Sequence, residues 1–220
     1  MGLAKSSSIV LYSDPSDIRC HLVRCVLAAK NKQVDIIQIE KHELSADLDE
    51  QRQVIVDDFL EINPNGHLPS LAYHQLTIIH ADIMVEFLDD RFPHPSLFPP
   101  GPVERSEART VMRQIETDWY TLVDKITSDI EVQPSREALK NAFDLIVPLF
   151  ENFDYFMSNT YSMVDFYLVV LLWRFESLGI DISKFPKSMQ DYADRMFNKS
   201  WFLASLTDQE MDMRCQEYAV

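Results

Sequence analysis

A chain of 220 residues can bury one large or two small hydrophobic cores, which excludes a disulfide-stapled miniprotein. Lys and Arg number 20 against 35 Asp and Glu, a net charge of −15. The basic footprint that releases counterions from nucleic acid is therefore missing, and no sequence-specific contact with DNA is expected.

Met1 to Ser8 holds one Lys and no apolar segment, so no secretory signal is expected. Ser8 to Tyr12 is a short β-branched run that ends at Asp14-Pro15-Ser16-Asp17, where Asp and Ser can cap a helix and Pro ends a strand. Ile18, Leu22, Cys25, Val26 and Ala29 then mark one apolar helical face, and Asp35 to Glu40 reads as a second strand. Strand, helix, strand is a βαβ unit with a parallel pair. Glu40 to Glu61 carries eight acidic residues against Lys41 and Arg52. This composition predicts a solvated, mobile loop that ends in a short helix near Asp57 to Ile62.

Asn63-Pro64-Asn65-Gly66 is turn chemistry leading into Leu68-Pro69, a good position for a cis proline, and then into a hairpin around Tyr73-His74-Gln75. Ile83, Met84, Phe87 and Leu88 predict the apolar side of the next helix. From Pro93 to Pro102 five of ten residues are proline, a composition that neither propagates a helix nor feeds a sheet ladder. The expected division is an α/β unit over 1–92, a linker over 93–102 and an all-helical unit over 103–220.

Beyond the linker the period is helical only. Ala108, Val111, Met112, Ile115, Trp119, Leu122 and Ile126 predict one long helix, and Leu139 to Phe153 a second, bent at Pro148. Ser162 and Asp165 have capping-box spacing before Phe166 to Trp173, the longest apolar run. Its eight residues are far short of the roughly 20 that a membrane span requires. Met189 to Phe197 supplies another helix, and Thr207 with Glu210 caps the last. Cys20, Cys25 and Cys215 are odd in number, with no Cys-x-x-Cys pair, which points to a reducing, cytoplasmic setting. The histidines, all six in the first half, show no ligand spacing, and no metal is expected.

These residues carry a resemblance. Leu11-Tyr12-Ser13, Asp17-Ile18, Val23-Arg24, Asn63-Pro64-Asn65, Pro69 and the run Phe87-Leu88-Asp89-Asp90-Arg91-Phe92-Pro93-His94-Pro95 resemble the glutathione-transferase superfamily. Asp118-Trp119-Tyr120, Leu171-Leu172-Trp173-Arg174 and Phe202 to Thr207 extend the match over nearly the whole chain. Within that superfamily the chain is most similar to the RNA polymerase-associated stringent starvation branch. The implied architecture is a thioredoxin-like α/β N-terminal domain followed by an all-α C-terminal domain, the glutathione-transferase fold.

Transferase chemistry would need a hydroxyl or thiol at the start of the first helix that favours the glutathione thiolate. That turn reads Asp17-Ile18-Arg19, and an acid there raises a thiol pKa. Ser13, Ser16 and Cys20 stand nearby, but as turn, cap and packing residues. The acid-Ser pair that would hold the γ-glutamyl end is replaced by His80-Ala81. No catalytic residue and no cofactor are therefore expected, with a residual glutathione-dependent transferase or reductase as the competing reading.

Pro93 and Pro95 fix φ on both sides of His94 and predict a stiff, extended segment already ordered before binding. Phe92, Pro93, His94, Pro95 and Leu97, with Phe98, would then offer an imidazole amid apolar area. The resemblance implies that this surface contacts RNA polymerase holoenzyme, including the primary sigma factor. It also implies a homodimer in which the helix after the hairpin and the first long helix face the other subunit. Arg105, Arg109 and Arg113 form one basic line on that long helix, expected to be a salt-bridged surface with Glu104, Glu107 and Glu116 nearby.

Overall fold

The computed structural model describes residues 9–214. Ser8, which the sequence reading places in the first strand, and Cys215 lie outside them. A four-stranded sheet is built from β1 (Ile9–Ser13), β2 (Asp35–Gln38), β3 (Ser70–Tyr73) and β4 (Leu76–Ile78), in the order β2-β1-β3-β4. β1 pairs parallel to β2 and antiparallel to β3, which forms the hairpin with β4. The Leu68–Pro69 peptide is cis at the hairpin entry.

Helix α1 (Ile18–Ala29) starts where Asp17 Oδ1 accepts from the Arg19 and Cys20 amides at 2.8 and 2.9 Å. One apolar face was expected, yet the run from Cys20 to Leu27 is buried without a break, including His21 and Arg24. The helix is enclosed because it packs against α3 (Ala81–Arg91), α7 (Met163–Trp173) and α9 (Ser200–Leu203). A strip of polar residues is thereby taken into the interior, where each needs a partner.

The acidic stretch departs from the expected loop. It holds a 3-10 turn at Lys41–Ser45 and the 13-residue helix α2 (Glu50–Ile62), capped by Asp49, which accepts from the Arg52 amide at 2.9 Å. Val56 and Phe59, three apart, are its buried residues, and Phe59 meets Tyr12 with ring centroids 5.0 Å apart. Two buried anchors beside an N-cap hold a helix whose other faces are acidic and solvated. In α3, Met84 and Leu88 are buried as expected, whereas Ile83 is 53% exposed.

The first long helix runs as α4 (Pro102–Gln114), a π turn at Ile115–Tyr120 and α5 (Thr121–Thr127). Helix α6 (Val132–Asn152) contains Pro148, and the 3-10 turn Ile182–Lys184, α8 (Lys187–Phe197), α9 and α10 (Asp208–Asp212) follow α7. Ten consecutive residues of α7, Met163 to Leu172, are buried, as a central helix that is apolar on every face apart from Asp165 should be. Asp165 closes its capping box, accepting from the Ser162 amide at 2.7 Å and also from the Phe156 amide and the Tyr192 hydroxyl, each at 2.9 Å. Burial outweighs these donors and pushes its carboxyl up to about 6. The arginine line of α4 is salt-bridged, but across to α3: Arg105 to Asp89 and Asp90, Arg109 to Glu86, Arg113 to Asp82. No helix of the described residues is long and apolar enough to cross a membrane.

Candidate partner-binding site

Helix α3 ends when Phe92 takes the C-cap position and Pro93 supplies no amide to continue it. Pro93, His94 and Pro95 are all exposed. The chain bends at His94 and Pro95 instead of running extended as expected, and the peptide between them is cis. Phe92 is half-buried between two cations, with Lys32 Nζ 4.9 Å and Arg91 Cζ 5.2 Å from its ring centroid. The turn therefore shows an imidazole and two proline rings beside a small basic rim on an otherwise acidic protein.

Leu97 and Phe98 correct the sequence reading. They are 2% and 4% exposed and belong to the main core, so neither adds contact area. Leu97 accepts from the Met163 amide at 2.7 Å, which ties this end of the segment to the start of α7. An apolar residue beside a proline cluster looks the same in sequence whether it anchors the loop inward or faces a partner.

What holds the turn is a residue outside the motif. The Lys30 side chain, just beyond α1, is fully buried, and its ammonium meets three acceptors: Asp89 Oδ1 at 2.6 Å, the Phe92 carbonyl at 2.7 Å and the Pro95 carbonyl. An ammonium has three protons, so the group is fully satisfied. Asp89 Oδ1 also accepts from the Leu97 amide at 2.8 Å. The two carbonyls that bracket Pro93-His94-Pro95 are thus fixed to one buried ion pair. Nothing in the spacing of Lys30 and Asp89 announces this pairing; it depends on α1 and α3 lying side by side.

The groups near the start of α1 are also engaged. Asp17 pairs with Lys41 Nζ at 2.6 Å, and Arg19 reaches Glu116 at 3.2 Å and Asp124 at 3.0 Å, spanning the sheet unit and the helical unit. Cys20 Sγ accepts from the Asp14 amide, and burial, then the Asp17 carboxylate, drive its thiol well up. Ser13 Oγ accepts from Arg24 at 2.5 Å, and Ser16 Oγ donates to Asp14 at 2.8 Å. His80 sits at the N-cap of α3 without a side-chain hydrogen bond, followed by the buried methyl of Ala81.

Deeper in, Glu210 is fully buried and accepts from Arg24 Nη2 at 2.7 Å and Arg174 Nη2 at 2.6 Å. His21 completes the network, its Nδ1 2.9 Å from Arg174 Nη1 and its Nε2 3.1 Å from Ser205 Oγ. Burial and the two guanidiniums drive its imidazole well below its usual range. It is therefore neutral, accepting at Nδ1 and donating from Nε2, and the 3.3 Å approach of Nδ1 to Glu210 is not an ion pair. The network joins α1, α7 and α10, and the sequence reading assigned it nothing.

The glutathione S-transferase C-terminal domain family matches residues 111–199. A glutathione S-transferase from Bombyx mori superposes with a TM-score of 0.79 at 15% identity, covering 95% of each chain, a likeness of fold. Two proteins named stringent starvation protein A homolog are much nearer in sequence. That of Pasteurella multocida is 38% identical over 92% of both chains, and that of Coxiella burnetii 35% over 96% of this chain and 98% of its own. With the thioredoxin-like sheet unit, the helical unit and the Pro-His-Pro turn in hand, this likeness over nearly the full length places the chain in the stringent starvation protein A family.

Proposed function

We propose that this protein is a transcription regulator that binds RNA polymerase holoenzyme, sigma factor included, through Phe92, Pro93, His94 and Pro95, and that it does not transfer glutathione. The observation that carries the reading is the exposed Pro-His-Pro turn whose flanking carbonyls are locked to buried Lys30. A contact surface already ordered loses little entropy on association. The charge of −15 favours approach to the basic surfaces of a DNA-handling enzyme. Against transferase chemistry stand the engaged Ser13, Ser16 and Cys20 and the Asp17–Lys41 pair where an activated sulfur would sit. The units divide at 1–92, 93–102 and 103–220, and the protein works in the cytoplasm as a homodimer that presents the turn twice.

Pull-down of purified holoenzyme by the wild type and by Pro93→Ala/His94→Ala/Pro95→Ala tests the reading. The wild type should retain holoenzyme and the triple variant should lose it; equal recovery removes the turn from the mechanism. Calorimetric binding of glutathione in roughly the micromolar range, with conjugation of a model electrophile, would favour the transferase reading instead.

A further inference from the structure

A cleft of about 440 Å³ lies where the end of α6 meets one face of α8. Ser188, Asp191 and Arg195 line it from α8, and Glu151, Phe153 and Asp154 from the end of α6 and the chain just beyond. It shares no residue with the Pro-His-Pro turn. Its volume falls within the roughly 300–1,000 Å³ usual for a small-molecule site. Ser188 to Arg195 is two turns of helix, about 10 Å, which is the length of a small metabolite and too short for a folded segment of protein.

The fold leaves groups of both signs unmet in this cleft. The Ser188 hydroxyl oxygen is shielded from solvent and has no hydrogen-bond partner among the described residues, a rare state for a buried polar atom. Helix α8 begins without a capping side chain or an acid in its first turn, and the Lys187 and Ser188 amides donate to no backbone carbonyl among the described residues. Its positive end is therefore uncompensated. Helix α6 ends with the opposite sign: its last turn holds no basic residue, and the carbonyls of Phe150, Glu151 and Asn152 accept no backbone hydrogen bond among the described residues beyond the helix. Asp191 is paired with Lys187 Nζ at 2.8 Å and Asp154 with Arg195 at 3.5 Å, whereas Glu151 joins no ion pair among the described residues.

We propose that this cleft binds a free α-amino acid with an amide side chain. The ligand carboxylate meets the Ser188 hydroxyl and the first amides of α8, and its ammonium meets Glu151 and the last carbonyls of α6. Phe153, 39% exposed, flanks the methylenes. A side-chain amide both donates and accepts, so it suits the Arg195–Asp154 pair, which a charged side chain would have to break. A diamine leaves the donor end of the cleft unmet, and a dicarboxylate faces Glu151, so one pole alone is not enough. The site stands apart from the function proposed above and does not depend on polymerase binding.

Calorimetric titration of the full chain with L-glutamine, putrescine and glutarate tests the proposal. L-Glutamine should bind with a dissociation constant of roughly 1 mM or tighter, and the other two at least about tenfold more weakly. Ser188→Ala and Glu151→Gln should each weaken L-glutamine binding by roughly fivefold or more, and Ser188→Thr should keep it. Without ligand, Ser188→Ala removes a polar atom that bonds to nothing, so it should melt within about 2 °C of the wild type or above it. L-Glutamine at about 10 mM should raise the melting temperature of the wild type and leave that of Ser188→Ala nearly unchanged. No binding of L-glutamine up to about 10 mM, equal binding by Ser188→Ala/Glu151→Gln, or equal binding of putrescine or glutarate overturns the proposal. A ligand-free Ser188→Ala that melts well below the wild type also overturns it, because the hydroxyl would then already serve the fold.

Discussion

Lys30→Met replaces a fully buried ammonium by a side chain of similar length with no donor. Asp89, whose side chain is 4% exposed, would keep its negative charge with only the Leu97 amide at 2.8 Å and the Arg105 guanidinium at 3.7 Å, and the Phe92 and Pro95 carbonyls would lose their shared donor. Breaking a buried pair from one side costs about 3–5 kcal/mol. In a chain of this length that corresponds to a melting temperature lower by roughly 10 °C. Lys30→Met/Asp89→Leu removes both charges and should recover about 2 kcal/mol or more of the single-variant loss, since no unpaired charge is left. Urea unfolding of the wild type, Lys30→Met, Asp89→Leu and the double variant, followed by tryptophan fluorescence, gives the four free energies of the cycle. A single variant within about 1 kcal/mol of wild type, or a double variant weaker than the sum of both single changes, would refute the clamp argument. Holoenzyme binding gives a second readout: Lys30 is buried and touches no partner, yet its loss should weaken binding as the turn variants do.

Three further outcomes follow from the interior. Cys25 is buried with its thiol pushed up to about 12, and Cys20 is driven up by burial and Asp17, so Ellman's reagent should reach both only in denaturant; rapid native labelling of either would contradict the packing of α1. Asp165 has a carboxyl raised from 3.8 in the unfolded chain to about 6 in the fold, so its contribution is fully present below the lower value and is lost as pH rises through the upper one. That loss is about 3 kcal/mol by neutral pH, and Asp165→Asn should flatten the unfolding free energy across this window; an unchanged slope would assign it elsewhere. Phe59→Ala removes the larger anchor of α2 and should cost about 3–5 kcal/mol, with α2 amides losing hydrogen-exchange protection first; full protection would mean that the acidic stretch is held by something else.

The parallel strand pair, the hairpin and the helical half were readable because their signals are local. The βαβ run, the turn before Pro69, the capping boxes at Ser162 and Thr207 and the apolar run Phe166 to Trp173 each announce themselves within a few residues. Only the end of helix α2, near Asp57 to Ile62, was expected; its first half was read as loop because the buried side is two residues wide and the acidic surface resembles a solvated loop. At the site, the exposed Pro93, His94 and Pro95 were legible from composition and resemblance, whereas the inward turn of Leu97 was not. Lys30, Asp89 and the Glu210 network were invisible for one reason: each pairs residues from helices far apart in the chain, and a buried ion pair leaves no periodic trace.

The place of Glu210 bears on how the chain matures. Arg24 emerges early in synthesis and Arg174 late, and both settle on a carboxylate that lies further on still. Until that residue has left the ribosome, closing α1 against α7 would strand two guanidiniums away from water. The final apposition of α1 and α7 therefore waits for the short helix α10, which acts as the latch that closes them.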